Sequence, residues 1–159
     1  MHPQYKTTGD SAFDIGIMDV SQPFEFNAAV QPIVLPRFNE RIRLGTRAVA
    51  IGWGLSQAIP QKVLPLLLQA LDVVTIENDE CRRAWLTFKR SICAVGADIS
   101  VDTCFGDSGG PMMVGNVQWG LMSSGGAANC TGGAPMQFLK VSSLRNWIRR
   151  FSKIPHQKF

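Results

Sequence analysis

Charge is scarce in this chain. Asp, Glu, Lys and Arg make up 18% of its 159 residues against 45% hydrophobic ones, a balance that excludes intrinsic disorder. Long apolar runs are also missing. The best candidate, Leu64 to Leu71, is broken by Pro65 and Gln69 and falls short of the roughly 18 residues a spanning helix needs, so no transmembrane segment is expected. Histidine is confined to His2 and His156, and the four cysteines contain no Cys-x-x-Cys pair. Metal-ligand spacings are therefore not met, and neither a metal nor an organic cofactor is expected. The start, Met1-His2-Pro3-Gln4-Tyr5-Lys6, lacks the basic-then-apolar pattern of a secretion signal: either nothing is secreted or the true beginning is missing. Alternating strand and helix units, internal repeats, low-complexity tracts and linkers are absent too. With 15 Gly and 9 Pro the composition is loop-rich without being collagen-like, and the length suits one domain.

Sixteen Lys and Arg against 12 Asp and Glu give a net charge of +4, a mild excess that calls for no nucleic acid. Short runs rich in Val, Ile, Leu or Met, punctuated by Gly, Pro, Asn or Ser, predict strands over 14–20, 33–35, 48–51, 66–75, 111–114, 117–123 and 136–141. That is an all-β, barrel or sandwich pattern. Leu144, Trp147, Ile148 and Phe151 share one face of a predicted terminal helix, with Ser142 or Ser143 as its cap and Arg145, Arg149 and Arg150 opposite. A shorter helix is expected from Glu77 to Trp85, starting near Asn78 or Asp79. Cys81, Cys93, Cys104 and Cys130, even in number and widely spaced, suggest two disulfides and an oxidising compartment.

The densest chemistry lies in Cys104-Phe105-Gly106-Asp107-Ser108-Gly109-Gly110-Pro111. Glycines around a serine let the backbone turn sharply, expose a hydroxyl and gather amide N–H groups where an oxyanion would form. Taken alone, the run also fits a plain glycine-rich turn with a surface serine. The whole Gly-Asp-Ser-Gly-Gly-Pro run, however, resembles the nucleophile loop of the chymotrypsin/trypsin-like serine peptidases. Other segments agree in order. Asp14-Ile15 resembles the family's triad-aspartate segment, and His2-Pro3-x-Tyr5 the stretch before it. Val30 to Pro36 resembles its sequel, Gly52-Trp53-Gly54 a Gly-Trp-Gly turn, Gly120 to Gly125 the Val-Ser-Trp-Gly strand, and Trp147-Ile148 the Trp-Ile of the last helix.

The resemblance implies a double β-barrel, present here as the end of the first barrel and the segment between barrels (1–36), the complete second barrel (37–141) and a C-terminal helix (142–152). It implies pairing of Cys81 with Cys93 and of Cys104 with Cys130. It makes Ser108 the nucleophile, the amides of Gly106 and Ser108 the oxyanion hole, and Asp14 the residue that orients the catalytic histidine. That histidine belongs upstream of Asp14 and is not in this chain, since His2 matches a non-catalytic position and His156 follows the terminal helix. The chain as given is therefore expected to be inactive. In the family a new apolar N-terminus pairs with the aspartate before the nucleophile; without it, Asp107 is expected to be unpaired or solvated and its loop misordered.

Asp102 stands at the acidic floor of the family's specificity pocket, which implies cleavage after Lys or Arg; a loop aspartate in a surface salt bridge is the alternative. Ser123 and Gly125 would line the pocket wall, while Met136 stands where glycine is usual and would fill it. Asn129-Cys130-Thr131 is formally a glycosylation sequon, although its middle residue is a disulfide cysteine. Arg145, Arg149, Arg150, Lys153 and Lys158 form a basic end that reads as a solvated helix face. The function expected is that of a secreted, extracellular, monomeric serine endopeptidase acting on polypeptides. The alternative is a non-catalytic homologue that binds a protein partner.

Overall fold

The computed structural model describes residues 1–56, 62–84, 88–98, 100 and 102–152. Six strands, β1 (Arg47–Gly52), β2 (Gln69–Ile76), β3 (Ser91–Gly96), β4 (Pro111–Val114), β5 (Val117–Gly125) and β6 (Met136–Lys140), close into an antiparallel barrel in the order β1-β2-β3-β6-β5-β4. Small residues alternate inward along β1, where Ala48 and Ala50 are buried, and leave room for the large side chains opposite. Met112, Met136 and Phe138 fill that room with no exposed surface. Closure removes the free edges that would otherwise template aggregation.

Helices sit outside the barrel. The first, α1 (Pro3–Thr8), starts on His2, whose Nδ1 accepts from Gln4 N at 3.2 Å, and stops at Gly9, where φ is 67°. A 3-10 turn, Ser11–Phe13, follows. The His2 ring stacks on Phe13 at 4.7 Å between centroids and lies 4.9 Å from the ring of Trp147, so the front of the chain is held by the terminal helix α3 (Arg145–Phe151). The remaining helix, α2 (Asn78–Ala84), is fastened to β3 by the Cys81–Cys93 disulfide and by Asn78 Oδ1, which accepts from Cys93 N at 3.2 Å. The second disulfide joins Cys104 to Cys130.

Several expectations from the sequence need correction. The run 14–20 forms no strand, 33–35 shrinks to one bridge between Val34 and Val117, and residues 18–32 between them are all exposed. Strand β3 went unforeseen: its turn signal is the left-handed Arg90 (φ 70°) rather than a glycine. Neither serine caps the last helix. Ser142 Oγ donates to Glu40 O at 2.7 Å and Ser143 Oγ to Lys140 O at 2.6 Å, while a 3-10 turn (Val141–Leu144) leads into α3. Trp85, Lys153, His156 and Lys158 lie outside the described residues.

Candidate active site

Ser108 sits, exposed, on the turn between the Cys104–Cys130 disulfide and β4. The turn is fixed by its own main chain, since Asp107 N donates to Cys104 O at 3.1 Å and Gly110 N to Asp107 O at 2.9 Å. Two further bonds attach it to β5: Gly109 N donates to Met122 O at 2.7 Å and Met122 N to Gly110 O at 2.8 Å. The amides of Gly106 and Ser108 have no acceptor among the described residues, which leaves both available to an incoming oxygen.

Asp107 is neither unpaired nor solvated, contrary to expectation. It is half-buried, its Oδ1 accepts from Gly54 N at 2.9 Å and its Oδ2 from Cys104 N at 2.8 Å. Two main-chain donors thus take the place of a cationic partner and keep the loop ordered. The glycines of Gly52-Trp53-Gly54 are what make this possible, because a Cβ on either would run into the Asp107 carboxylate. The motif was visible in the sequence; its partner, more than fifty residues away, was not.

Asp14 ends the first 3-10 turn and accepts at Oδ2 from Ser123 Oγ, 3.0 Å away. Ser123 follows Met122, the residue bonded to Gly109, so two hydrogen bonds link the aspartate to the residue after Ser108. Ser123 is the extra residue of a bulge in β5: Met122 faces Phe138 and Ser124 faces Gln137, with Ser123 between them unpaired.

Asp102 is buried, 8% exposed, and forms no salt bridge among the described residues. Its Oδ1 accepts from Thr103 N at 2.9 Å, and its Oδ2 from Ala127 N and Ala134 N, both at 3.0 Å. Burial pushes its carboxyl above the ordinary carboxylate value, opposed by those three donors. The sequence pointed to Asp102 but not to the amides of Ala127 and Ala134, since main-chain donors carry no residue signature. Gly125 has φ 102°, and a Cβ there would lie 2.5 Å from Pro135 O, so this position tolerates no side chain. Met136, directly across from Gly125, is fully buried in the barrel core. Neither imidazole is shown facing Ser108: His2 is buried against Phe13 and Trp147, and His156 is not among the described residues. No group of three or more His, Cys, Asp or Glu suited to a metal occurs among them.

A serine-bearing turn of this kind, fastened to a strand that also holds a carboxylate, has counterparts. The family model described as Trypsin matches residues 1–148. The chain belongs to the trypsin family of serine peptidases. Among its relatives, Serine protease 1 of Drosophila melanogaster is 39% identical over 129 residues, 79% of this chain and 48% of that protein. Trypsin 5G1 of Aedes aegypti is 31% identical over 95% of this chain and 57% of its own length, and Phenoloxidase-activating factor 1 of Holotrichia diomphalia 31% over 92% and 42%. The trypsin-like fold is equally plain in the solved structure of mouse neuropsin, a serine protease of the limbic system: TM-score 0.80 at 28% identity, over 94% of this chain and 67% of that one. The chain spans about half the length of the curated trypsin-family relatives it matches. No helix among the described residues is long and apolar enough to cross a membrane.

Proposed function

We propose that this chain carries the nucleophile half of an extracellular serine endopeptidase, with Ser108 attacking the peptide carbonyl and the amides of Gly106 and Ser108 receiving the oxyanion. In that reaction the Ser108 Oγ–C bond forms while the hydroxyl proton passes to an imidazole oriented by Asp14; the proton then goes to the leaving amine as the C–N bond breaks, and water releases the acyl group. The observation that carries this reading is the Asp14–Ser123 hydrogen bond, which holds a carboxylate against the strand to which the Ser108 turn is fastened. Two disulfides fit an oxidising, extracellular setting. Residues 1–36 read as the end of a first barrel and its connection, 37–141 as a second barrel and 142–152 as the closing helix.

The 159 residues alone turn over substrate negligibly, because loss of the base from such a triad costs about a million-fold in rate. The second reading, a non-catalytic homologue that binds a protein partner, draws on the same observation that no described imidazole faces Ser108. A fluorophosphonate probe separates the two. Labelling of Ser108 in the protein purified from its natural source, with none in the isolated 159-residue chain, is expected for the peptidase; an unlabelled Ser108 in the natural protein would establish the binding module.

A further inference from the structure

The sequon Asn129-Cys130-Thr131 lies on the loop between β5 and β6, and the fold decides which of its residues face outward. Several links pin that loop: Asp102 Oδ2 accepts from Ala127 N and Ala134 N, Gly126 N donates to Pro135 O at 3.1 Å, and Cys130 is bridged to Cys104. The chain turns at Ala128 and Asn129, both exposed, whereas Cys130 is only 1% exposed. Asn129 Oδ1 accepts from Thr131 N at 3.4 Å, and its Nδ2, the atom that would carry a sugar, donates to nothing among the described residues. Space is open beyond the sequon as well, since a Cβ on Gly132 would meet no atom within 4 Å. The disulfide thus takes the inward residue and leaves the acceptor residue outside, so a closed bridge and a sugar on Asn129 are compatible.

We infer that Asn129 is an N-glycosylation site, filled while the chain is still open and in competition with closure of the Cys104–Cys130 bridge. This rests on the reading of the protein as extracellular. A transferase reads the Asn and the Thr of a sequon together, and residues i and i+2 project to one side only in an extended chain. In the folded loop that alignment is gone: Cys130 is left-handed at φ 65°, its N–H bonds Ala127 O at 2.9 Å, and Thr131 is half-buried. The donor is a polyprenyl-pyrophosphate oligosaccharide. The bond from Asn129 Nδ2 to the sugar C1 forms as the C1–O bond to pyrophosphate breaks, and Nδ2 gives up one proton, with no change of oxidation state. A chain that closes its bridge first therefore keeps a bare Asn129.

The test uses the protein from its natural source, treated with a peptide N-glycosidase in heavy-oxygen water and digested without reduction for mass spectrometry. Expected is Asn129 recovered as heavy-oxygen Asp, in a peptide still bridged to the one carrying Cys104. Asn129 found bare in every molecule overturns the inference. With the bridge intact in that sample the extracellular reading stands; with Cys104 and Cys130 as free thiols it falls too. Labelling of Ser108 by the fluorophosphonate probe depends on neither result. The competition has its own readout. In cells producing the whole protein, Cys104→Ser with Cys130→Ser keeps the Asn-x-Thr spacing and removes the bridge, so the glycosylated fraction of newly made chain, read by gel shift, should rise. Thr131→Ala and Asn129→Gln should each lose that shift. Because newly made chain is measured before secretion, a variant that fails to fold still gives the answer. A fraction unchanged by the paired replacement, or full occupancy in the unaltered protein, overturns the competition and leaves the site.

Discussion

The barrel and the segment in front of it obey different rules. Inside the barrel, Met112, Met136 and Phe138 have no exposed surface and every strand has a neighbour on both sides. Along residues 18–32 every side chain is exposed, including Met18 at 91% and Phe24 at 65%, between the Asp14–Ser123 hydrogen bond on one side and the Val34–Val117 bridge on the other. Apolar residues are common to both regions, so hydrophobicity does not separate them. What separates them is closure: a side chain contributes by burial only where backbone hydrogen bonds hold a second surface opposite it.

The largest effect that would sharpen this contrast is expected from Phe138→Ala, which empties the barrel centre and should cost about 3–5 kcal/mol in denaturant unfolding. Replacing Cys104 and Cys130 together by Ser frees a 26-residue separation and should cost about 3 kcal/mol on loop entropy, read from the same curves. Gly54→Ala drives a methyl group into the Asp107 carboxylate; a loss of about 1–3 kcal/mol is expected, with faster hydrogen exchange at the Cys104 amide as the specific sign that Asp107 has let go.

A smaller effect depends on pH. Burial, then the Arg90 guanidinium and the chain's terminal ammonium, hold the His2 imidazole below its ordinary 6.5. The unfolded chain therefore binds this proton at a pH where the folded one refuses it, and stability is lost as pH falls from about 6.5 through the lowered value. Melts between pH 8 and pH 5 should show that decline, flattened in His2→Gln. Least of all, Phe26→Ser in the exposed segment should change stability by less than about 0.5 kcal/mol; a drop comparable to that of Phe138→Ala would break the comparison.

The same contrast explains what the sequence could tell. Strands β4 and β6 and the face of α3 were legible because Pro111, Gly115 and the Trp147-Ile148 spacing mark them locally. The run 14–20 misled because Ile15, Ile17 and Val20 alternate like a strand, whereas Ile15 packs against Leu139 and Leu144 outside the barrel and its carbonyl accepts from His2 N rather than from a neighbouring strand. At the candidate site, motif and resemblance singled out Ser108 and Asp14, and the resemblance implied both disulfide pairs that the structure contains. The donors that hold Asp102 and Asp107 did not, because an amide N–H is the same at Gly54, Cys104, Ala127 and Ala134, and only folding selects which of them point inward.

The unpaired residue in β5 is also a matter of counting. At Gly120 and Met122 the even-numbered positions face into the barrel; beyond Ser123 the odd-numbered Gly125 shares Met136's side and Ser124 is exposed. Shortening the strand by this one residue would restore strict alternation, and with it place a serine against Met136 and a glycine outside. Chain length at a single position therefore encodes two things at once: the hydroxyl offered to Asp14 and the bare backbone opposite Met136.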